Sequence, residues 1–255
     1  MKLSQKTIEA GDLVSIVEYS RPLPKDTPKQ RTAKHQVTTE AQKVINSKLA
    51  TRKLAFLLAA NFRPRIDYFV TLTYEGQAPT TRDDAKKIFA AFMRKLRTQR
   101  RARGNDLKYA YCIECRHGDG RYHHHMVLNA TDPKQDFEDL ASLWDSGYAK
   151  VTFLFDDDHK DDTWFSVARY IVKERPETGK DETPVGSRIF SCSRNLYRPK
   201  PVYRIIDEKD RAVMPADAVP IEDGAGNGSR TVIVEGISIT IRWLTYQRRP
   251  HHYQC

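Results

Sequence analysis

The sequence is poor in cysteine, with only Cys112, Cys115, Cys192 and Cys255 among 255 residues. Four thiols cannot staple a chain of this length, which excludes the disulfide scaffolds of small secreted domains. No apolar run approaches the roughly 18–20 residues that cross a bilayer, so no membrane role is expected. The opening MKLSQKTIEAGDL lacks the apolar stretch and cleavage site of a signal peptide. A reducing cytoplasm is therefore the expected location. A GxxxxGK[ST] phosphate loop is also missing: Gly179-Lys180 runs into Asp181 without the upstream glycine, so no nucleotide-driven motor is expected. Internal repeats and low-complexity blocks are absent as well.

What is present is positive charge and a well-patterned core. Lys and Arg outnumber Asp and Glu by 43 to 33, a surplus of +10 that suits a polyanionic partner. Leu13–Tyr19 reads as a strand inside a basic arm, 1–35, that ends in the proline-punctuated RPLPKDTPKQR. Residues 36–205 read as the main domain, beginning with a helix over 39–60. The β-branched, aromatic YFVTLTY (68–74) is a strand, followed by an amphipathic helix over 83–103. Ile88, Ala91, Phe92 and Leu96 make that helix's expected inner face, and Arg94, Lys95, Arg97, Arg100, Arg101 and Arg103 crowd its end. Two strands, 107–115 and 121–129, flank the turn-like HGDG at 117–120 and predict an antiparallel hairpin. A helix (134–145), a strand (148–155), an acidic loop and a helix (163–173) follow, with a short strand at 188–192. Residues 206–255 read as an extension, with a break at 219–229 and a β-hairpin over 231–244. The class is α+β, with a central antiparallel sheet flanked by helices.

Three clusters carry chemistry. In Tyr122-His123-His124-His125-Met126 the strand alternation puts His123 and His125 on one face. Two adjacent imidazoles suit a divalent ion, against the blander reading of a histidine-rich surface strand. His124 points the other way and reads as a partly buried polar residue; a twisted or bulged strand would make it a ligand. Glu114, across the turn, can add a carboxylate and leave positions open for water and a phosphate oxygen. In the helix over 163–173, Val167, Tyr170 and Lys173 are spaced three apart on one face. A phenol near pKa 10 is a poor nucleophile at neutral pH. An ammonium one turn away favours the phenolate and can neutralise charge on a transferring phosphoryl group. Packing alone is the commoner role for a helical tyrosine.

The order of YFVTLTY, His123-His124-His125 and Val167-x-x-Tyr170-x-x-Lys173 resembles the three motifs of the HUH-endonuclease superfamily, specifically its single-tyrosine rolling-circle replication initiators. The resemblance spans about residues 66–200 and includes SRNLYRPKP. The tyrosine follows the histidines, as in initiators rather than relaxases; Tyr19 is the one early alternative. His124 departs from the family pattern, which prefers an apolar residue there. The resemblance implies an RRM-like sheet and a metal, Mg²⁺ or Mn²⁺, held by His123, His125 and Glu114. It also implies attack by Tyr170 on single-stranded DNA or an origin stem-loop, giving a 5′-phosphotyrosine and a free 3′-OH, and hence nicking and rejoining. Arg94, Lys95, Arg97, Arg100 and Arg101, with Arg194, Arg198 and Lys200, are candidates for holding the DNA backbone. Unwinding would need a separate helicase. Two rivals stand beside this reading. One is a single-tyrosine transposase of the same superfamily. The other is a non-catalytic zinc module using Cys112, Cys115, His123 and His125.

Overall fold

The computed structural model describes residues 2–20, 40–76, 78–115, 121–156, 163–172, 189–221, 227–234 and 237–248. They form two units, one from residues 49–197 and one that joins 1–48 to 198–255. No described helix is long and apolar enough to cross a membrane.

The first of these units is built on YFVTLTY. Its β-branched and aromatic residues form β3 (Tyr68–Tyr74), with Tyr68, Val70 and Leu72 buried on one face. After it come α2 (Arg82–Ala102), β4 (Tyr109–Cys115), β5 (Tyr122–Leu128), α3 (Pro133–Leu143) and β6 (Gly147–Phe153). The strands lie in the order β6-β3-β5-β4, with the short β7 (Ser191–Cys192) on the β4 edge. All neighbours are antiparallel. This is the split β-α-β-β-α-β arrangement, in which the two central strands come from separate halves of the motif. The fold is α+β, as its patterning implies.

Helix α2 starts where the Thr81 hydroxyl accepts the Asp84 N–H, and α3 where Asp132 accepts the Gln135 N–H ahead of Pro133. Both pack on the sheet face that carries Tyr68, Val70, Leu72, Met126 and Leu128, and with Phe89, Phe92, Met93, Leu96, Leu140 and Trp144 they close the main core. The opposite face meets α4 (Trp164–Val172), which contacts β4. The Phe165 ring of α4 lies edge-on to Phe56 of α1 (Glu40–Ala59), 6.3 Å between centroids.

The second unit is a sheet shared by the two ends of the chain. Its order is β10-β11-β2-β1-β8, from β1 (Lys2–Ala10), β2 (Leu13–Tyr19), β8 (Val202–Asp207), β10 (Gly228–Val234) and β11 (Ile237–Gln247). The short β9 (Val219–Pro220) pairs with β11. The hairpin expected over 231–244 is present as β10–β11. The division 1–35, 36–205 and 206–255 separates strands that the structure pairs: β1 bonds β8, and β2 bonds β11. Such pairings, about two hundred residues apart in sequence, leave no local pattern to read. The expected HGDG turn lies outside the described residues.

Candidate active site

Strands β4 and β5 pair with Glu114 opposite His123, Ile113 opposite His124 and Cys112 opposite His125. Directly opposed residues share a face. His123, His125, Glu114 and Cys112 therefore line one side of the sheet, and His124 the other. From β3, Thr73 stands beside His123 and Thr71 beside His125.

His125 is buried, and both ring nitrogens are engaged. Nε2 lies 2.7 Å from Glu114 Oε2, and Nδ1 lies 3.2 Å from Thr71 Oγ1. A hydroxyl can donate or accept, so Thr71 fits either tautomer of the ring.

Helix α4 brings in the tyrosine. Its start is capped reciprocally: Ser166 N–H donates to Thr163 Oγ1 at 3.2 Å, and Thr163 N–H donates to Ser166 Oγ at 2.9 Å. Trp164, Phe165, Ala168, Ile171 and Val172 are buried, and so is Val167. Tyr170 is left 46 % exposed at the helix edge. Its ring meets His125 edge-on at 5.0 Å between centroids and Phe69 at 5.4 Å. The phenol thus sits beside the His–Glu pair with an open approach from solvent. Lys173 lies outside the described residues, and Tyr19 belongs to β2 of the other unit.

His124 has a different role. Its ring is fully buried, stacked on Phe89 at 4.6 Å, with Nε2 2.7 Å from the Tyr74 hydroxyl. Burial holds this imidazole down to about 3 from its ordinary 6.5, and the neighbouring charges of His125, Arg82 and His123 act in the same direction. The unfolded chain therefore takes up this proton at a higher pH than the folded one. The stability His124 contributes is complete above pH 6.5 and declines as the pH falls from 6.5 to about 3. Replacing His124 by Phe is expected to flatten the melting temperature between pH 6.5 and about 5, above the range where carboxylates titrate. Thermal melts across that window, with an unchanged slope in the variant, would contradict this placement.

The donor chemistry fits a divalent ion. Ligands at about 2.1 Å from a metal, on adjacent positions, stand about 3 Å apart. His125 Nε2 and Glu114 Oε2 already converge to 2.7 Å, and His123 shares their face. Among the described residues no three such side chains are yet gathered about one point, so closing the set needs a turn of the His123 side chain. Cys115 lies opposite Tyr122 and faces away from Cys112, so Cys112, Cys115, His123 and His125 do not converge as a zinc quartet. Neither thiol is in a disulfide.

The basic candidates separate. Arg100 is a correction: it is completely buried, and its Nη2 pairs with Asp136 at 2.9 Å while Nη1 donates to the Asn129 carbonyl oxygen at 2.7 Å. A guanidinium so enclosed cannot hold a DNA backbone. Arg94 is exposed, and Lys95 pairs with Asp145 at 2.9 Å. Arg97, Arg101 and Arg194, from segments far apart in sequence, line one cleft. Arg198 and Lys200 are exposed in the other unit.

Residues 67–175 match the family model of the replication-associated protein ORF2. The chain carries a Rep-like domain of the HUH superfamily. The matched span runs from β3 through α4 and holds all three chemical clusters; it stops short of SRNLYRPKP. Neither the curated proteins nor the solved structures gave a match. Three residues of the Rep-like site are not apparent from the sequence motifs. Phe69 touches both His125 and Tyr170, Thr71 orients His125, and Tyr74 fixes His124. A signal for two of them is present, since alternation along YFVTLTY puts Phe69 and Thr71 on the face opposite the core residues.

Proposed function

We propose that the Rep-like domain nicks and rejoins single-stranded DNA at a rolling-circle origin, through a phosphodiester formed on Tyr170. The observation that carries this reading is the edge-on contact of Tyr170 with His125, whose Nε2 stands 2.7 Å from Glu114. The Tyr170 oxygen attacks the scissile phosphorus and loses its proton, the bond to the 3′ oxygen breaks, and that oxygen leaves as a 3′-OH. The 5′-phosphotyrosine retains the ester energy, so the reverse attack by a 3′-OH rejoins the strand. His125, Glu114 and His123 are the residues that would hold Mg²⁺ or Mn²⁺, which supplies Lewis-acid polarisation of the phosphate. Thr71 keeps the His125 ring in place by accepting from Nδ1–H once Nε2 serves as a ligand. Phe69 restrains both rings, which limits the ways Tyr170 can approach. Lys173, one turn on from Tyr170, would offset charge on the phosphoryl oxygens. A separate helicase opens the duplex, and the cytoplasm is the setting that the sequence suits.

The test uses labelled stem-loop single strands from the gene's own surroundings, Mn²⁺, and a denaturing gel. A covalent protein–DNA band is expected, lost in EDTA. At limiting Mn²⁺, His125→Ala and Glu114→Gln should each weaken its formation by at least about tenfold. A band that forms equally well in EDTA overturns the metal assignment, and no band on any strand overturns the nuclease reading.

A further inference from the structure

Away from Glu114, at the other end of β4, the last turns of α2, the loop 105–107 and residues 192–195 enclose an open cleft of about 720 Å³. Arg97, Arg101 and Arg194 line it, together with Asn105, Asn195 and Tyr109. Arg97 and Arg101 are one helical turn apart and share a face, whereas Arg100 is turned inward.

The charge in this cleft is not neutralised from within. Among the described residues none of the three lining guanidiniums forms an ion pair, although Lys95, Arg100 and Arg103 beside them each do. Arg97 donates to the neutral Tyr109 hydroxyl at 3.3 Å. Asp106 is the single carboxylate in the lining, so three positive charges face one negative.

The walls are held in advance of any ligand. Ser193 N–H donates to the Tyr109 carbonyl oxygen at 2.9 Å, and Tyr109 N–H donates to Ser193 Oγ at 3.1 Å. Asn195 Nδ2 donates to the Leu107 carbonyl oxygen at 3.3 Å, and Asn105 N–H to the Arg100 carbonyl oxygen at 2.9 Å. The buried Arg100–Asp136 pair anchors the helix end that presents Arg97 and Arg101. A site that needs little ordering on binding keeps more of its interaction energy.

We propose that this cleft is a second DNA site, which holds one or two nucleotides of the single strand flanking the cut. This rests on the nuclease reading above. Phosphates lie against Arg97, Arg101 and Arg194, and bases against the Asn105 and Asn195 amides and the Tyr109 ring. A volume of this order suits a body the size of one or two nucleotides, and a double helix would not enter it. Five residues of β4 separate Tyr109 from Glu114, about 17 Å of strand, so the held nucleotides lie a short run of chain from the scissile phosphate.

The test is fluorescence anisotropy of the full chain with labelled dT20 and dT6 in EDTA, over a series of salt concentrations. The double variant Arg101→Ala/Arg194→Ala should bind dT20 about tenfold more weakly, with the log–log salt slope reduced by about 1.4, or about 0.7 for each phosphate of a single strand that is no longer neutralised. Arg101→Lys/Arg194→Lys should keep the slope, and Arg94→Ala, on the same helix outside the cleft, should change neither quantity. Circular dichroism melts confirm that each variant is folded. An unchanged slope in the double Ala variant overturns the cleft, as does an equal loss in Arg94→Ala, which would mean diffuse charge. No cleavage enters this readout. A protein that never forms an adduct yet loses slope keeps the cleft and loses the nuclease reading, and the opposite pair of results does the reverse.

Discussion

Tyr170→Phe is expected to abolish the covalent adduct and to lower strand cleavage by at least about 10³-fold, because the attacking oxygen itself is removed. Affinity for single-stranded DNA should stay within about twofold, since the change deletes one exposed hydroxyl and leaves the ring. That ring supplies the edge-on contacts to His125 and Phe69, so the helix and the His–Glu pair should keep their positions. The result separates two roles that a tyrosine on an amphipathic helix can have. A packing tyrosine tolerates Phe, because the buried side of α4 is made by Trp164, Phe165, Ala168, Ile171 and Val172 and not by Tyr170. A nucleophile does not tolerate it. Gel assays of adduct and nicked strand, with binding measured in parallel, check both halves. Cleavage that persists in the Phe variant would move the attacking group to another residue.

Arg100→Ala is expected to lose about 3–5 kcal/mol of folding stability, the usual result of removing one member of a buried ion pair and stranding the other. Asp136 would be the stranded group. It accepts from Arg100, from the Tyr68 hydroxyl at 3.2 Å, and from both the Thr131 N–H and hydroxyl at 2.7 Å. Arg100 also donates to the carbonyl oxygen and side chain of Asn129, so the residue links α2, α3 and the end of β5. Burial lowers the affinity of the guanidinium for its proton, and Asp136 acts against that shift. Urea unfolding measures the loss directly. A change within about 0.5 kcal/mol, as for an exposed arginine, would show that the residue is not an anchor.

Arg100 also shows where reading the sequence stops. The run Arg94–Arg103 looks like a basic patch, and the expected inner face was Ile88, Ala91, Phe92 and Leu96. The buried stripe instead follows Ala85, Phe89, Phe92, Met93 and Leu96, and its next step of four lands on Arg100. The periodicity was legible, but the reason for a buried charge was not. Its partner Asp136 is 36 residues away and leaves no local mark on the sequence. By contrast, strong local patterns carried through. YFVTLTY occupies β3 from Tyr68 to Tyr74, and alternation in the triple histidine separates His124 from its neighbours as β5 does. The approach of Glu114 to His125 follows from hairpin register, which the alternation and a short turn constrain. The joint sheet of the two termini was beyond reach: KLSQKTIEA in β1 is polar, and its partners lie at the opposite end of the chain.

The most direct test of the central claim is to identify the residue that carries DNA. The wild-type adduct, formed with Mn²⁺, is trimmed with nuclease, digested with trypsin and sequenced by mass spectrometry. The account predicts a nucleotide 5′-phosphate on the phenolic oxygen of Tyr170. A nucleotide on any other residue, Tyr19 included, would contradict it.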